Sequence, residues 1–84
     1  MDEIQILIVE DEPVIAENIA YYLNNHDFRV CGIAYDADEA KMFLENGSPD
    51  AIVLDINLEG ETDGLDLAAY VNIHHKIPFV LLTS

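Results

Sequence analysis

The chain has 84 residues, of which 51% are hydrophobic and 24% charged, so its length allows one globular domain with an apolar core. Seventeen acidic and three basic residues give a net charge of -14, which disfavours nucleic acid and anionic membranes as partners and favours cations and basic proteins. The single Cys31 cannot form an internal disulfide, and with no signal peptide or membrane-length apolar run it indicates a buried, reduced thiol in a cytoplasmic protein.

The first half of the chain predicts two strands and a helix between them. Ile4–Val9 is an apolar run typical of a buried strand. A helix is predicted over Pro13–Leu23, because proline suits the first helical turn and apolar residues recur at four-residue spacing. Asn24–Asp27 ends this helix. Phe28–Ala34 predicts a second strand, at a sheet edge because a charged residue and a glycine dilute its apolar pattern.

The second half repeats this alternation. Asp36 and Glu39, three residues apart, resemble a capping box and predict the start of a second helix that ends at Gly47. The remaining predicted elements are a buried strand over Ala51–Ile56, a polar loop over 57–63, a helix from Gly64 that weakens near 72–75, and a buried strand over Phe79–Leu82.

This β-α-β-α-β-α-β order, with strands that look buried on both faces, predicts a parallel sheet wound by right-handed crossovers. Residues 1–84 are expected to form one domain. Because domains usually contain about 100–150 residues, and because the sequence finishes on a buried strand, we interpret the chain as the N-terminal part of a longer domain.

Acidic side chains follow two of the predicted strands. If the first, third and fourth strands are neighbours, Glu10, Asp11, Asp55 and Thr83 emerge at the same edge of the sheet, where α/β proteins bind ligands. Three clustered carboxylates repel one another unless a cation is bound, and all-oxygen ligands favour Mg²⁺. Asp55 stands alone at its strand end and is the predicted nucleophile toward phosphorus, which would give an aspartyl phosphate.

Four motifs, in order, carry a resemblance to a known family. The segments Ile6–Pro13, Ile52–Leu58, Asp63-Gly64 and Ile77–Thr83 together resemble the receiver domain of two-component response regulators. The resemblance covers essentially the whole chain. It implies a flavodoxin-like, doubly wound parallel sheet of strand order 2-1-3-4, with the fifth strand and the last two helices absent.

The resemblance also implies a role for each site residue. Asp55 would accept a phosphoryl group from the phosphohistidine of a sensor histidine kinase or phosphotransfer protein, and Thr83 would be the switch hydroxyl. Mg²⁺ would be bound by Asp11 and Asp55, by Glu10 directly or through water, and by the backbone carbonyl of Asn57. The domain would be a regulatory phosphoacceptor rather than an enzyme with an external substrate.

The sequence departs from the family pattern in two places. The loop Leu58–Gly64 is one residue longer than the commonest form and has Glu59-Gly60 where proline is frequent. The family's lysine on the fifth strand and its rotating aromatic residue would lie beyond Ser84. The exposed edge of the Pro78–Thr83 segment is then expected to favour dimerisation.

Two other functions are compatible with parts of the pattern. Phosphotransferases of the haloacid-dehalogenase type also form an aspartyl phosphate at a strand end, but they require a second Asp two residues later, where this chain has Asn57. A receiver-like interaction module that is not phosphorylated gains no support, because Asp55 and the acidic pair are intact. A nucleotide site is excluded, since Glu10–Pro13 replaces the glycine-rich turn that binds a pyrophosphate.

Overall fold

The computed structural model describes residues 3–58 and 64–82, within which strands and helices alternate. The elements are β1 (Ile4–Val9), α1 (Pro13–Asn24), β2 (Phe28–Ala34), α2 (Ala37–Asn46), β3 (Ala51–Asp55), α3 (Gly64–His74) and β4 (Phe79–Leu82). The strands form a parallel sheet in the order β2-β1-β3-β4. The predicted fold class and strand order are therefore confirmed.

The bounds of the elements agree closely with the sequence pattern. The predicted third strand is one residue too long, because Ile56 already lies in the turn that follows β3, although its N–H still donates to the carbonyl of Leu82 (3.2 Å). None of the helices within the described residues is long and apolar enough to span a membrane.

Helices cover both faces of the sheet, and side chains along each strand alternate between those faces. On one face, Ile6 and Ile8 of β1 pack against Ala16 of α1. On the other, Leu7 and Val9 lie in a larger core to which α2 and α3 contribute. The alternation explains why the part of β1 from Ile6 to Val9 is a continuous apolar run, since both faces are buried there.

A bulge interrupts β2 at Cys31. The register against β1 shifts after Val30, so that Cys31 has no opposite residue and Gly32 takes the next pairing position. The ring of Phe43 lies over Gly32, where a Cβ atom would come within 2.8 Å of its Cζ. Cys31 is only partly buried, contrary to the prediction of a buried thiol. Even this partial burial raises the pKa of the thiol.

The start of α2 uses both of the predicted capping residues. Asp36 Oδ1 accepts a hydrogen bond from the N–H of Glu39 (2.8 Å), as an N-cap side chain does. Glu39 Oε1 accepts from the N–H of Tyr35 (2.7 Å) rather than from that of Asp36. The second hydrogen bond of a capping box, from a backbone N–H to the side chain of Glu39, is therefore present, but its donor lies one residue before the N-cap residue.

The strand β4 is less covered than its sequence predicts. Val80 is 60% exposed and Leu81 is 40% exposed, so the expectation of a strand buried on both faces is wrong in the part of the chain that the structure describes. The reason is the placement of the helices: α1 packs mainly on β1 and β2, α2 on β2, and α3 on β3.

Candidate metal centre at the carboxyl edge of the sheet

Three carboxylates converge where β1 and β3 end. Val9 pairs with Leu54, so the residues that follow them, Glu10 and Asp55, are neighbours. One ligand oxygen from each of Glu10, Asp11 and Asp55 lies within 4.8 Å of the others. Glu10 and Asp55 are 4% and 5% exposed, and Asp11 is partly buried. The predicted convergence of these three side chains is thus present.

Glu10 carries an electrostatic penalty in this cluster. Its pKa is raised from 4.5 to about 7, chiefly by burial and then by hydrogen bonds with Asp55 and Asp11 that only its protonated form makes and by the charge of Asp55. A backbone hydrogen bond from Glu12 opposes this rise. Its Oε2 atom is buried without a hydrogen-bond partner among the described residues. Glu10 therefore presents an acceptor that lacks a positive partner.

The cluster fits a bound cation. An unpartnered buried carboxylate oxygen is costly unless a hydrogen-bond donor or a metal ion satisfies it. A cation among these three carboxylates would remove that cost and the repulsion between them. All of the side-chain donors are oxygen atoms, which suit hard divalent ions. Within residues 3–58 and 64–82 this is the one group of three or more such side chains close enough to hold a metal ion.

The turn after β3 fixes the carboxylate of Asp55. The N–H of Asn57 donates to Asp55 Oδ1 over 2.9 Å, which leaves the other carboxylate oxygen for further contacts. The side chain of Asn57 is exposed, and the next residue, Leu58, is buried in the core. Leu58 thereby anchors the turn that sets the direction of the Asp55 side chain.

Gly64, the first residue of α3, is a further site residue whose role the sequence reasoning missed. A Cβ atom at Gly64 would collide with the carbonyl oxygen of Asp55 and with Cα of Ile56, and would come within 2.9 Å of the carbonyl carbon of Asp55. All three atoms belong to the backbone and cannot yield as a flexible side chain would. The signal available in the sequence was the glycine of the Asp63-Gly64 motif, because glycine is the residue that permits such a close approach of two backbone segments.

Two predicted features of the site lie outside the described residues. Thr83, the predicted switch hydroxyl, follows β4 directly but falls outside residues 3–58 and 64–82, as does Asp63 of the Asp63-Gly64 motif. The metal contact expected of the Asn57 carbonyl stays a prediction.

Comparisons with known proteins agree with this fold. The profile of the response regulator receiver domain matches residues 6–84, so the chain belongs to that family. It is 31% identical over 80 residues to the transcriptional regulatory protein PdtaR of Mycobacterium tuberculosis (strain ATCC 25618 / H37Rv), covering 95% of this chain but 38% of that protein. The chain therefore spans little more than a third of the length of this curated relative.

Two solved receiver domains have the same architecture. The signal receiver domain of a modulated diguanylate cyclase from Desulfovibrio desulfuricans G20 superposes with a TM-score of 0.89 at 30% identity, over 95% of this chain and 64% of that one. The BeF3-activated N-terminal receiver domain of Klebsiella pneumoniae RstA gives a TM-score of 0.85 at 38% identity, over 95% and 67%.

Proposed function

We propose that this chain is the phosphoacceptor part of a two-component signalling protein, and that Asp55 receives the phosphoryl group. The observation that supports this most directly is the position of Asp55, at the end of β3 with a ligand oxygen within 4.8 Å of Glu10 and Asp11. The donor is the phosphohistidine of a sensor histidine kinase or phosphotransfer protein. All of residues 1–84 belong to one receiver domain, which acts as a regulator and not as an enzyme on an external substrate.

The contacts of Asp55 define its part in the transfer. The N–H of Asn57 holds Oδ1, so the second carboxylate oxygen attacks the phosphorus atom. A P–O bond forms, the P–N bond to the donor imidazole breaks, and the imidazole leaves with the electron pair. The burial of Asp55 limits access of water to the acyl phosphate that results.

Mg²⁺ is the cofactor that suits this site. When bound, it would neutralise charge on the oxygen atoms of the transferring phosphoryl group. Glu10, Asp11 and Asp55 would hold it through carboxylate oxygens, and Asn57 through its backbone carbonyl. The buried and unpartnered Oε2 of Glu10 supports this assignment, because a cation is the partner that this atom lacks.

We assign Thr83 as the hydroxyl that senses the phosphoryl group. It directly follows β4, whose residue Leu82 pairs with Asp55 of β3. A neighbour supports the phosphorylated state as the active one: the RstA receiver domain is described as BeF3-activated, and BeF3 is a chemical mimic of a phosphoryl group. In a switch of this kind, the new hydrogen bond would bias a two-state surface elsewhere.

The haloacid-dehalogenase alternative is not favoured. Its mechanism needs a carboxylic acid two residues after the nucleophile, and the side chain of Asn57 has no carboxylic acid proton to donate. Membership of the receiver family points the same way.

The test is transfer of phosphate from a small-molecule donor. We expect the chain, incubated with acetyl phosphate and Mg²⁺, to gain an acid-stable, base-labile phosphoryl group, and Asp55→Asn to abolish the gain without altering the circular dichroism spectrum. Asp50→Asn is the matched control, since Asp50 lies at the opposite end of the same strand, where its carboxylate accepts from the N–H of Gln5 (2.8 Å). Labelling of Asp55→Asn at the wild-type rate would refute the assignment.

We also propose that a second copy pairs through the Pro78–Thr83 segment. The exposure of Val80 and Leu81 supports this, because an apolar strand at a sheet edge favours pairing. Sedimentation at increasing concentration should show a monomer–dimer equilibrium, and Val80→Lys should shift it toward monomer. A wild-type chain that stays monomeric at high concentration would contradict this proposal and leave the assignment of Asp55 unaffected.

A further inference from the structure

A groove of about 400 Å³ lies between the outer edge of β2 and α2. Ile33, Met42 and Phe43 form its apolar part, and Glu39 and Asn46 its polar part. Met42 is 63% exposed. A second groove of about 440 Å³ meets the first at Phe43 and continues along β2, where the exposed Arg29 lines it. An apolar surface of this kind needs a partner that fits its shape and charge.

A partner strand does not fit this edge of the sheet. The N–H of Val30 already donates to Asn24 Oδ1 (3.0 Å), and that of Tyr35 to Glu39 Oε1 (2.7 Å). The bulge at Cys31 interrupts the strand between these two points. Capped donors and a bulge are the features that prevent strand addition. A partner must therefore contact the groove with side chains, as an amphipathic helix does.

The charge around the first groove, beside α2, shows which helix would fit there. Beside Met42 and Asn46, the exposed side chains of α2 are all acidic: Asp38, Glu39 and Glu45. The helix's basic residue, Lys41, instead has its Nζ 4.6 Å from the centre of the Tyr70 ring. A second copy of this chain is a poor occupant of this particular groove, because its net charge of -14 would be repelled by the acidic side chains of α2.

We propose that the groove between β2 and α2 binds a basic amphipathic helix of a partner protein. One or two apolar side chains of that helix would enter beside Met42, whose flexible thioether adapts to the shape of an incoming group. Lysine or arginine residues flanking them would pair with Glu39 and Glu45. A helix of about 15 residues is ~23 Å long, which is about the length of a seven-residue strand such as β2. This binding does not require phosphorylation of Asp55.

The experiment is a backbone-amide NMR titration of the isotopically labelled chain with three synthetic peptides of about 15 residues. The first has leucines at helical i, i+3, i+4 and i+7 positions flanked by lysines, the second has the same composition in scrambled order, and the third has glutamate in place of lysine. We expect saturable binding of the first peptide alone, with the largest shifts at Ile33, Met42 and Asn46.

Two variants separate the groove from general attraction to an acidic protein. Met42→Lys should weaken binding of the basic peptide about tenfold or more, since it removes the apolar contact and adds a like charge. Ile73→Lys adds the same charge at a residue of α3 that is 70% exposed, and should leave binding within about twofold. Both positions are exposed, so folding is expected to be unaffected, as equal thermal unfolding curves would show.

The proposal is overturned if the basic peptide does not bind saturably, if the scrambled peptide binds equally well, or if Met42→Lys and Ile73→Lys have the same effect. Shifts that map to β4 instead of the groove would also overturn it.

Discussion

Gly64 lies directly against the main chain of Asp55, so closely that no side chain fits between the first turn of α3 and the end of β3. The packing ties the position of a helix to the position of the proposed nucleophile. Because the obstructing atoms are the carbonyl group of Asp55 and Cα of Ile56, a larger residue at 64 must displace either the helix or the strand end.

Replacing Gly64 by alanine should therefore disturb the site as well as the fold. We expect Gly64→Ala to lower the free energy of unfolding by about 1–3 kcal/mol, the usual cost of overpacking, and to slow labelling by acetyl phosphate. Gly47→Ala is the matched control, since a Cβ there lies 3.7 Å from the carbonyl oxygen of Phe43, an ordinary contact. Urea unfolding and labelling rates check both. Equal effects of the two substitutions would contradict the packing argument.

We expect Asp11 to contribute to Mg²⁺ binding and its exposed neighbour Glu12 not to contribute. Asp11→Asn keeps the volume of the side chain but removes a ligand charge, so we expect Mg²⁺ affinity to fall by about tenfold or more and labelling of Asp55 to fall with it. Glu12→Gln, one residue later, removes an equal charge from an exposed side chain outside the cluster. It should leave Mg²⁺ affinity nearly unchanged in a calorimetric titration. Parallel losses in both variants would indicate loose attraction by net charge instead of a site.

The raised pKa of Glu10 predicts how stability depends on pH. Because its pKa in the folded protein is about 7, above the ordinary 4.5, the stability it lends is present below about 4.5 and is lost as the pH rises through 7. Without metal, we expect this residue to lower the free energy of unfolding by on the order of 3 kcal/mol between pH 4 and 8. Added Mg²⁺ should restore stability at pH 8.

Glu10→Gln isolates this effect, because glutamine resembles the protonated carboxyl group. The variant should show a flatter dependence of stability on pH than the wild type, and Mg²⁺ should stabilise it less. Glu45→Gln, at an exposed position of α2, serves as the control and should keep the wild-type slope. Denaturant unfolding at a series of pH values measures all three. A wild-type slope in Glu10→Gln would show that another group is responsible.

Local patterns made most of the fold predictable. The apolar run Ile4–Val9 predicts a strand and the cap at Asp36 predicts a helix start, each from a few neighbouring residues, and the structure has both. The convergence of Glu10 with Asp55 also followed, because parallel strands place their carboxyl ends at one edge.

Other features depend on contacts between distant residues and left no such signal. The exposure of Val80 depends on where the helices lie over the sheet, which the apolar run Phe79–Leu82 does not reveal. The bulge at Cys31 appears only when β2 is paired with β1. The buried Oε2 of Glu10, which lacks a hydrogen-bond partner among the described residues, and the tight packing of Gly64 could not be predicted from the sequence either. Each results from the close approach of two segments that are distant along the chain.

The most direct test of the central claim is to identify the phosphorylated residue chemically. The chain would be incubated with acetyl phosphate and Mg²⁺, treated with borohydride, which reduces an acyl phosphate to an alcohol, and then digested and mapped by mass spectrometry. We predict homoserine at position 55, absent when Mg²⁺ is chelated, and aspartate or glutamate unchanged at positions 10, 11 and 50. Reduction at any of these other carboxylates instead of Asp55, or at none, would contradict the account.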